Sequence, residues 1–240
     1  MAKTKYNEIY MALREKMEDG TYGFQELLPS ENTLVKEFDC SRNTIRRAIG
    51  QLASEGYVQS IHGKGVRIIY QPGQQPEFIL GGIESLKEAV ARNRKNYTTR
   101  VVCFAELTVD ETIQRRTTFP VGAQIYYIQR VRCIEGEALI IDHNYFLKDV
   151  VRDLTPEIAE RSIYEYMEKD LGESIVTTKR KMTVERVNQI DETYLDLKDY
   201  NCMAVVSSMT YNKEGVMFEF TQSRHRPDRF VFYDLAHRTK

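Results

Sequence analysis

One segment constrains the fold of this 240-residue chain more than any other. Residues 41–58 read SRNTIRRAIGQLASEGYV, and Ile45, Ala48, Ile49 and Leu52 have the spacing of one helix face. The arginines of the segment fall outside this apolar stripe. A serine that can cap the first turn precedes the helix, and a glycine that can end it follows. The segment therefore predicts a short, well-packed helix with cations on its exposed side.

Two more helices are predicted before this segment, and a hairpin after it. KYNEIYMALREKMEDGTY has apolar residues at helical spacing, and LPSENTLVKEF begins a second helix with Ser30 as its N-cap. YVQSIHGKGVRIIY predicts two short strands, since Gly63 and Gly65 permit the positive φ of a tight turn. Three helices and a two-stranded wing predict a winged helix-turn-helix over residues 1–70.

The third helix of such a domain enters the major groove by its N-terminal end, where Arg42, Asn43 and Arg46 would reach base edges. Net charge is −1, but residues 41–70 hold five Lys/Arg against Glu55 alone. A small basic surface on a nearly neutral chain favours specific docking over general adhesion to nucleic acid. The alternative is an ordinary solvated helix face. The order of cap, apolar stripe, cations and glycine hairpin favours DNA binding.

These segments resemble the GntR family of bacterial transcription regulators. The matching motifs are LPSENTL, SRNTIRRAIGQLASEGYV and HGKG. The resemblance implies DNA contacts on the third helix and in the wing, but many members carry arginine directly after PSE, where this chain has Asn32. The candidate DNA-binding residues are Ser30, Asn32, Ser41, Arg42, Asn43, Thr44, Arg46, Arg47, His62, Gly63 and Lys64.

The rest of the chain predicts a linker and a second domain. QPGQQPEF, residues 71–78, has two prolines and no apolar periodicity. In residues 79–240, strand patterns alternate with short helical ones, among them a long hairpin around residues 135–137 and one helix over TPEIAERSIYEYMEKDLG. Consecutive hairpins with inserted helices predict an α+β domain built on an antiparallel sheet.

The chain carries none of the common catalytic motifs, and no cofactor is implied. Its four cysteines are scattered and its four histidines lack metal-ligand spacing, so neither a disulfide frame nor a metal site is expected. We expect a cytoplasmic protein that is not an enzyme, because no segment has the pattern of a membrane span or a secretion signal.

Two arginines of the second domain predict an anion site. Arg130 and Arg132 fall on one face of a strand whose other residues on that face are mostly apolar. Buried guanidinium groups need an anion or carboxylates. Pairing with a nearby acid (Glu135, Glu137, Asp142 or Glu219) or exposure at a sheet edge is the alternative.

A later strand alternates Phe218 and Phe220 with Glu219 and Thr221. Its polar side could face solvent, which is the commoner case, or face inward and bind sugar hydroxyls.

This second half resembles the effector domain of HutC-type GntR regulators, whose fold is similar to that of chorismate lyase. Its motifs, FEFTQSRHRPDRFVFYDLAHR among them, are most similar to those of trehalose operon repressors. The resemblance implies a phosphate site at matching positions and a hydroxyl-binding role for Glu219, and it makes Arg224 and Arg226 candidates for closing the pocket or for surface roles. The candidate effector-binding residues are Ser85, Arg130, Arg132, Ser162, Tyr164 and Glu219.

The function that follows as an expectation is a homodimeric repressor of a sugar operon. It would bind a palindromic operator in double-stranded DNA and be released by a phosphorylated sugar such as trehalose 6-phosphate. The alternatives are a response to another phosphorylated sugar or amino sugar, an enzyme on the second domain, and a purely structural dimerisation domain.

Overall fold

The structure is a computed structural model that describes residues 5–71, 78–79 and 96–233. The chain divides into two compact units; of the described residues, 5–71 and Tyr233 belong to the N-terminal one, and 78–79 and 96–232 belong to the C-terminal one. The predicted linker, residues 71–78, lies almost entirely outside the described residues. The domain boundaries placed on either side of it therefore stay predictions.

The N-terminal unit has the predicted order of three helices followed by a hairpin. Its two strands pair antiparallel across a turn in which Gly63 has φ +72° and Gly65 has φ +112°. These positive φ values explain why the turn carries glycines. The elements are α1 (Lys5–Glu18), α2 (Glu31–Phe38), α3 (Arg42–Ser54), β1 (Val58–Ile61) and β2 (Gly65–Ile68).

Side-chain caps fix where α2 and α3 begin. The Ser30 hydroxyl accepts the backbone N–H of Thr33 at 3.2 Å, and the Ser41 hydroxyl accepts that of Thr44 at 3.2 Å. Each cap satisfies an N–H that the first turn leaves without a helical partner. Both predicted N-caps are confirmed.

The predicted apolar stripe of α3 is also confirmed. Ile45, Ala48, Ile49 and Leu52 are buried and join one core with apolar residues of α1 and α2. Burying a side chain of leucine size contributes about 1.5–3 kcal/mol, so several such contacts hold α3 firmly. The polar side of α3 is consequently presented by a rigid element.

The C-terminal unit is the predicted α+β arrangement around an antiparallel sheet. Its strands are β4 (Tyr97–Thr108), β5 (Gln124–Ile134), β6 (Glu137–Leu147), β7 (Ile175–Arg186), β8 (Cys202–Asn212) and β9 (Met217–His225). They form one sheet in the order β4-β5-β6-β9-β8-β7. The helices are α4 (Glu111–Thr117), α5 (Pro156–Arg161), α6 (Ile163–Lys169) and α7 (Gln189–Tyr194), and a short 3-10 turn covers Pro227–Arg229.

The prediction of a single helix over residues 155–172 is wrong, because the structure has two helices there, α5 and α6. Ser162 has extended backbone angles, φ −155° and ψ 109°, and its hydroxyl accepts the N–H of Glu165 at 3.3 Å. Serine competes for backbone hydrogen bonds in this way, which ends one helix and caps the next.

The strict alternation predicted around Phe218 is also wrong. The pairing of β8 with β9 shifts between Thr210 and Tyr211, and Phe218 has no partner residue on β8. Such a bulge turns a side chain to the other face of the sheet. Phe218 therefore packs with Phe146, whereas Phe220 belongs to a different apolar cluster.

The last predicted strand, RFVFYDLA, is described only in part. Phe232–Tyr233 forms a strand, β10, that pairs with β3 (Phe78–Ile79) in a separate two-stranded sheet. Across the described part of the chain, no helix has both the length and the apolar character that a membrane crossing requires.

Helices α5 and α6 lie over one face of the large sheet. Their residues Ala159, Ile163 and Met167 are buried in a cluster with Tyr126 and Ile128 of β5. By the two-residue period of strands, the same face continues along β5 to Arg130 and Arg132. Polar residues of β5, β6 and β9 lie on this side of the sheet, and we call them together the polar face. They are Arg130, Arg132, Asp142, Asn144, Glu219, Thr221 and Ser223.

Candidate functional site

The N-terminal end of α3 carries the residues predicted to contact DNA. Ser41, Arg42, Asn43 and Arg46 are exposed, and Thr44 is half-buried. The serine and threonine hydroxyls lie 2.8 Å apart within the cap. The N-terminal unit thus presents this end of α3 to its surroundings with two guanidinium groups on it.

The first turn of α2 holds these two arginines in place. Arg42 Nη2 donates to Asn32 Oδ1 at 2.8 Å, and Arg46 Nε lies 3.0 and 3.1 Å from the two carboxylate oxygens of Glu31. Asn32, which stands where many family members have arginine, therefore orients a neighbouring cation. The periodicity of α3 could not identify Glu31, because its contact with Arg46 joins two different helices.

Arg47 has a different environment from the other two arginines. Its guanidinium carbon lies 3.9 Å from the centroid of the Tyr6 ring on α1. A cation–π contact of this kind holds the charge beside α1 while leaving it available to an anion. The position suits contact with a phosphate more than contact with a base edge.

The wing residues predicted to approach DNA are all at the surface. His62, Gly63 and Lys64 are exposed in the turn between β1 and β2. Gly63 has no Cβ, and nothing lies within 4 Å of where one would be, so the turn is slim as well as exposed. A tip of this shape can approach a backbone closely.

In the C-terminal unit, Arg130 and Arg132 are buried beside one carboxylate. Each guanidinium is less than a tenth exposed, and Arg132 Nε donates to Asp142 Oδ2 at 2.8 Å. Arg130 Nη2 lies 3.8 Å from the same oxygen, and the Ser223 hydroxyl donates to Asp142 Oδ1 at 2.6 Å. The predicted alternative of pairing with a nearby acid thus occurs with Asp142, one negative charge between two positive ones.

The charge balance of this cluster shows in its pKa values. Burial lowers the pKa of Arg130 to about 9, and the neighbouring charge of Arg132 acts in the same direction. Burial alone would raise the pKa of Asp142, but Arg132 and Arg130 outweigh it and lower the value to about 2. Asp142 is therefore ionised and Arg130 is positively charged at neutral pH. An excess of positive charge remains at this end of the polar face.

The arginines also contact the elements around them. Arg130 Nε donates to Asn144 Oδ1 at 2.8 Å, and its Nη1 lies 3.4 Å from the backbone oxygen of Ala159 in α5. Arg132 Nη1 donates to the Thr99 hydroxyl of β4 at 2.7 Å. An anion bound to these guanidinium groups would consequently act on α5 and on an edge strand at once.

Glu219 and Tyr164, both predicted to bind the effector, contact each other. The Tyr164 hydroxyl of α6 donates to Glu219 Oε2 at 2.6 Å, and the Thr221 hydroxyl donates to Glu219 Oε1 at 2.6 Å. Glu219 is 4% exposed, so its polar side faces inward and not toward solvent. Burial and the nearby Glu219 raise the pKa of Tyr164 well above its usual value, and the phenol stays protonated.

The remaining predicted positions differ in what the structure describes. The Ser162 hydroxyl is engaged with the Glu165 N–H of α6, a helix of seven residues. So short a helix provides little dipole, which weakens the expectation of an anion site at its N-terminus. Ser85 lies outside the described residues.

Arg224 and Arg226 are buried in internal ion pairs, which corrects the expectation that they close a pocket or lie at the surface. Arg224 is 3% exposed and donates to both carboxylate oxygens of Asp191, at distances between 2.8 and 3.1 Å. Arg226 is fully buried, and its Nε donates to Asp228 at 2.7 Å. Both arginines are committed to internal ion pairs that fasten α7 and the chain beyond β9 to the sheet.

The geometry of the polar face suits a small ligand with a strong anion and several hydroxyl groups. Guanidinium groups bind phosphate through forked hydrogen bonds, and carboxylate, amide and hydroxyl groups bind sugar hydroxyls. Among the described residues, no group of three or more His, Cys, Asp or Glu could hold a metal ion.

Two family models match the chain. The model described as "Bacterial regulatory proteins, gntR family" matches residues 5–68, and the model described as "UTRA domain" matches residues 92–231. The first match contains α1 to β2, and the second contains the large sheet with its helices.

Curated relatives match over nearly the whole chain. The HTH-type transcriptional regulator TreR of Bacillus subtilis is 36% identical over 240 residues, which cover 100% of both chains. The HTH-type transcriptional regulator GmuR of the same organism is 27% identical over 95% of this chain and 96% of its own. Both relatives are regulators of transcription by name.

Solved structures agree with the fold of each part. The structure of the possible transcriptional regulator YydK from Bacillus subtilis has a TM-score of 0.82 at 22% identity, covering 98% of this chain and 100% of its own. The effector binding domain of the Bacillus subtilis trehalose repressor has a TM-score of 0.55 at 38% identity, covering 60% of this chain and 99% of its own.

Proposed function

Because the chain belongs to the GntR family of bacterial regulatory proteins and carries a UTRA domain, we propose that it represses a sugar-utilisation operon and is released by a phosphorylated sugar. The observation that carries this proposal is the pair of buried arginines, Arg130 and Arg132, beside carboxylate and hydroxyl groups of one sheet face. The likeness to the effector binding domain of the Bacillus subtilis trehalose repressor supports a trehalose derivative, and the buried arginines favour its phosphorylated form, trehalose 6-phosphate.

The N-terminal unit would bind DNA as a winged helix. Arg42, Asn43, Thr44 and Arg46 read base edges in the major groove, and the first turn of α2 orients the two arginines. The other candidates contact the sugar-phosphate backbone. These are Ser30, Asn32, Ser41, Arg47, His62, Gly63 and Lys64.

The effector would lie on the polar face under α5 and α6. Its phosphate would bind to the guanidinium groups of Arg130 and Arg132, where the positive charge of this face is greatest. Further hydrogen-bond donors to the phosphate would be Ser85, Ser162 and Tyr164. The sugar hydroxyls contact Glu219, whose carboxylate accepts the hydrogen bonds that they donate. The carboxylates of Asp142 and Glu219 on the same sheet face would also suit an amine, so a phosphorylated amino sugar is the second candidate.

Repression would require a dimer on a palindromic operator. Two winged helices related by a two-fold axis read two half-sites at a fixed spacing. The effector lowers operator affinity if it binds better to a state in which this spacing is wrong. Residues 79–240 would provide the dimer contacts, and residues 71–78 would transmit the change.

A thermal-shift titration of the full chain tests the effector assignment. Trehalose 6-phosphate at 100 times its dissociation constant is expected to stabilise the C-terminal unit by about 2.7 kcal/mol. Trehalose and inorganic phosphate serve as controls, and glucose 6-phosphate and glucosamine 6-phosphate test the second candidate. If none of these phosphorylated sugars shifts the transition, the proposed effector is wrong.

A further inference from the structure

Both carboxylate oxygens of Glu219 already accept hydrogen bonds inside the protein. Tyr164 and Thr221 each donate a hydroxyl proton at 2.6 Å. Each carboxylate oxygen has a second lone pair, but Glu219 is 4% exposed and offers almost no surface to a further donor. A ligand hydroxyl can therefore reach this carboxylate only if one internal donor moves.

The two donors differ in how readily they can move. Thr221 follows two residues after Glu219 on β9, and its hydroxyl is held from the other side by Asn144 Nδ2 at 2.7 Å. Tyr164 comes from α6, a seven-residue helix that lies over the sheet. A chain of hydrogen bonds links Arg130 to this pair, because Arg130 Nε donates to Asn144 Oδ1 at 2.8 Å and Thr221, which accepts from Asn144, donates to Glu219. An anion bound at Arg130 would thus lie near the tyrosine hydroxyl.

We propose that Tyr164 is a specificity-determining residue that makes recognition of the sugar depend on the phosphate. In the structure its hydroxyl donates to Glu219. When a phosphate occupies Arg130 and Arg132, the hydroxyl turns to a phosphate oxygen, and Glu219 becomes free to accept a sugar hydroxyl. This inference rests on the proposed function, because it assumes that the polar face binds a phosphorylated sugar.

The exchange of partners explains how an unphosphorylated sugar would be rejected. Such a sugar must break the bond between Tyr164 and Glu219, and the buried phenol then loses its carboxylate acceptor. A phosphorylated sugar supplies that acceptor, so no hydrogen bond is lost. A hydrogen bond to a charged group changes affinity on the order of 10- to 100-fold, which sets the size of the discrimination.

Calorimetric titration of the full chain with trehalose 6-phosphate, trehalose and inorganic phosphate tests this inference. Tyr164→Phe removes the hydroxyl and keeps the ring. We expect trehalose to bind to the Tyr164→Phe variant at least about 10-fold more tightly than to the wild type. In the variant Glu219 has lost one hydrogen-bond donor, and a sugar hydroxyl can replace it. Trehalose 6-phosphate and inorganic phosphate should bind more weakly, because the phosphate loses a donor.

Tyr166→Phe is the matched control on the same helix. Its hydroxyl donates to the backbone oxygen of Arg152, on the exposed side of α6, so the three affinities should equal those of the wild type. Tyr164→Met, which also lacks the hydroxyl, is a second variant that should repeat the change in selectivity. Melting curves verify that each variant is folded.

The outcomes separate this inference from the function on which it rests. If the wild type binds no phosphorylated sugar, the proposed effector is wrong and the inference with it. If the wild type binds trehalose 6-phosphate but Tyr164→Phe loses affinity for it and for trehalose in parallel, only the inference is overturned. A merely structural tyrosine would give that parallel loss, and opposite changes would support the exchange of partners.

Discussion

Replacing Arg130 with alanine is expected to abolish release by the sugar phosphate while leaving operator affinity unchanged. The substitution removes one of the two buried guanidinium groups that would bind the phosphate, and truncating one partner of a buried charge pair costs about 2–5 kcal/mol of binding. Arg130→Lys keeps the positive charge but cannot make the paired hydrogen bonds of a guanidinium, so the sugar phosphate should release this variant from the operator only weakly. Operator binding and effector titration of the same preparations provide the measurement.

The fold of the Arg130→Ala variant should persist, because Arg132 still pairs with Asp142 at 2.8 Å. Arg100→Ala is the matched control: this arginine is exposed on the neighbouring strand β4, and its loss should leave the effector response intact. An Arg130→Ala variant that releases the operator at the wild-type concentration of sugar phosphate would remove this residue from the effector site.

Replacing Arg42 with alanine is expected to weaken operator binding by about 1–3 kcal/mol and to relax the base preference at one position of each half-site. Arg46→Ala should act in the same direction. Arg42 donates to Asn32, so its guanidinium is already oriented and little conformational entropy remains to be lost on binding. Affinities for operator and random DNA, measured at one salt concentration, test this expectation.

Arg47→Ala is the comparison that separates base reading from phosphate contact. Its guanidinium lies over Tyr6 on α1, and its loss should weaken binding to operator and random DNA alike and reduce the salt dependence by about one phosphate contact. An equal loss on both DNAs for Arg42→Ala as well would contradict base reading by α3.

The N-terminal unit could be predicted closely because its signals are local. Capping serines, an apolar stripe and turn glycines each act within a few residues, and Ser41, Leu52 and Gly63 all have the predicted roles. The contacts of Glu31 and Asn32 with the arginines of α3 join two helices. Such contacts depend on how the helices pack, which periodicity does not specify.

The polar face could be predicted less completely, because its contacts join residues of different strands and helices. The two-residue period placed Arg130 and Arg132 together, but strand register decides that Asp142 lies directly opposite Arg130. Because of a bulge, Phe218 packs in a different apolar cluster from Phe220. Arg224 is buried in an ion pair with Asp191 of α7. Sequence patterns give the residues of a face, whereas register and packing give their partners.

The most direct test of the whole account is the affinity of the full chain for its operator as trehalose 6-phosphate is added. The operator is first selected from random DNA, and fluorescence anisotropy of the labelled duplex then gives the dissociation constant at fixed salt. We predict that saturating sugar phosphate raises this constant by a factor corresponding to about 1–3 kcal/mol, and that operator DNA weakens sugar-phosphate binding by the same factor. Trehalose and inorganic phosphate should not have this effect. An operator affinity that stays constant or increases while the sugar phosphate is bound would contradict the account.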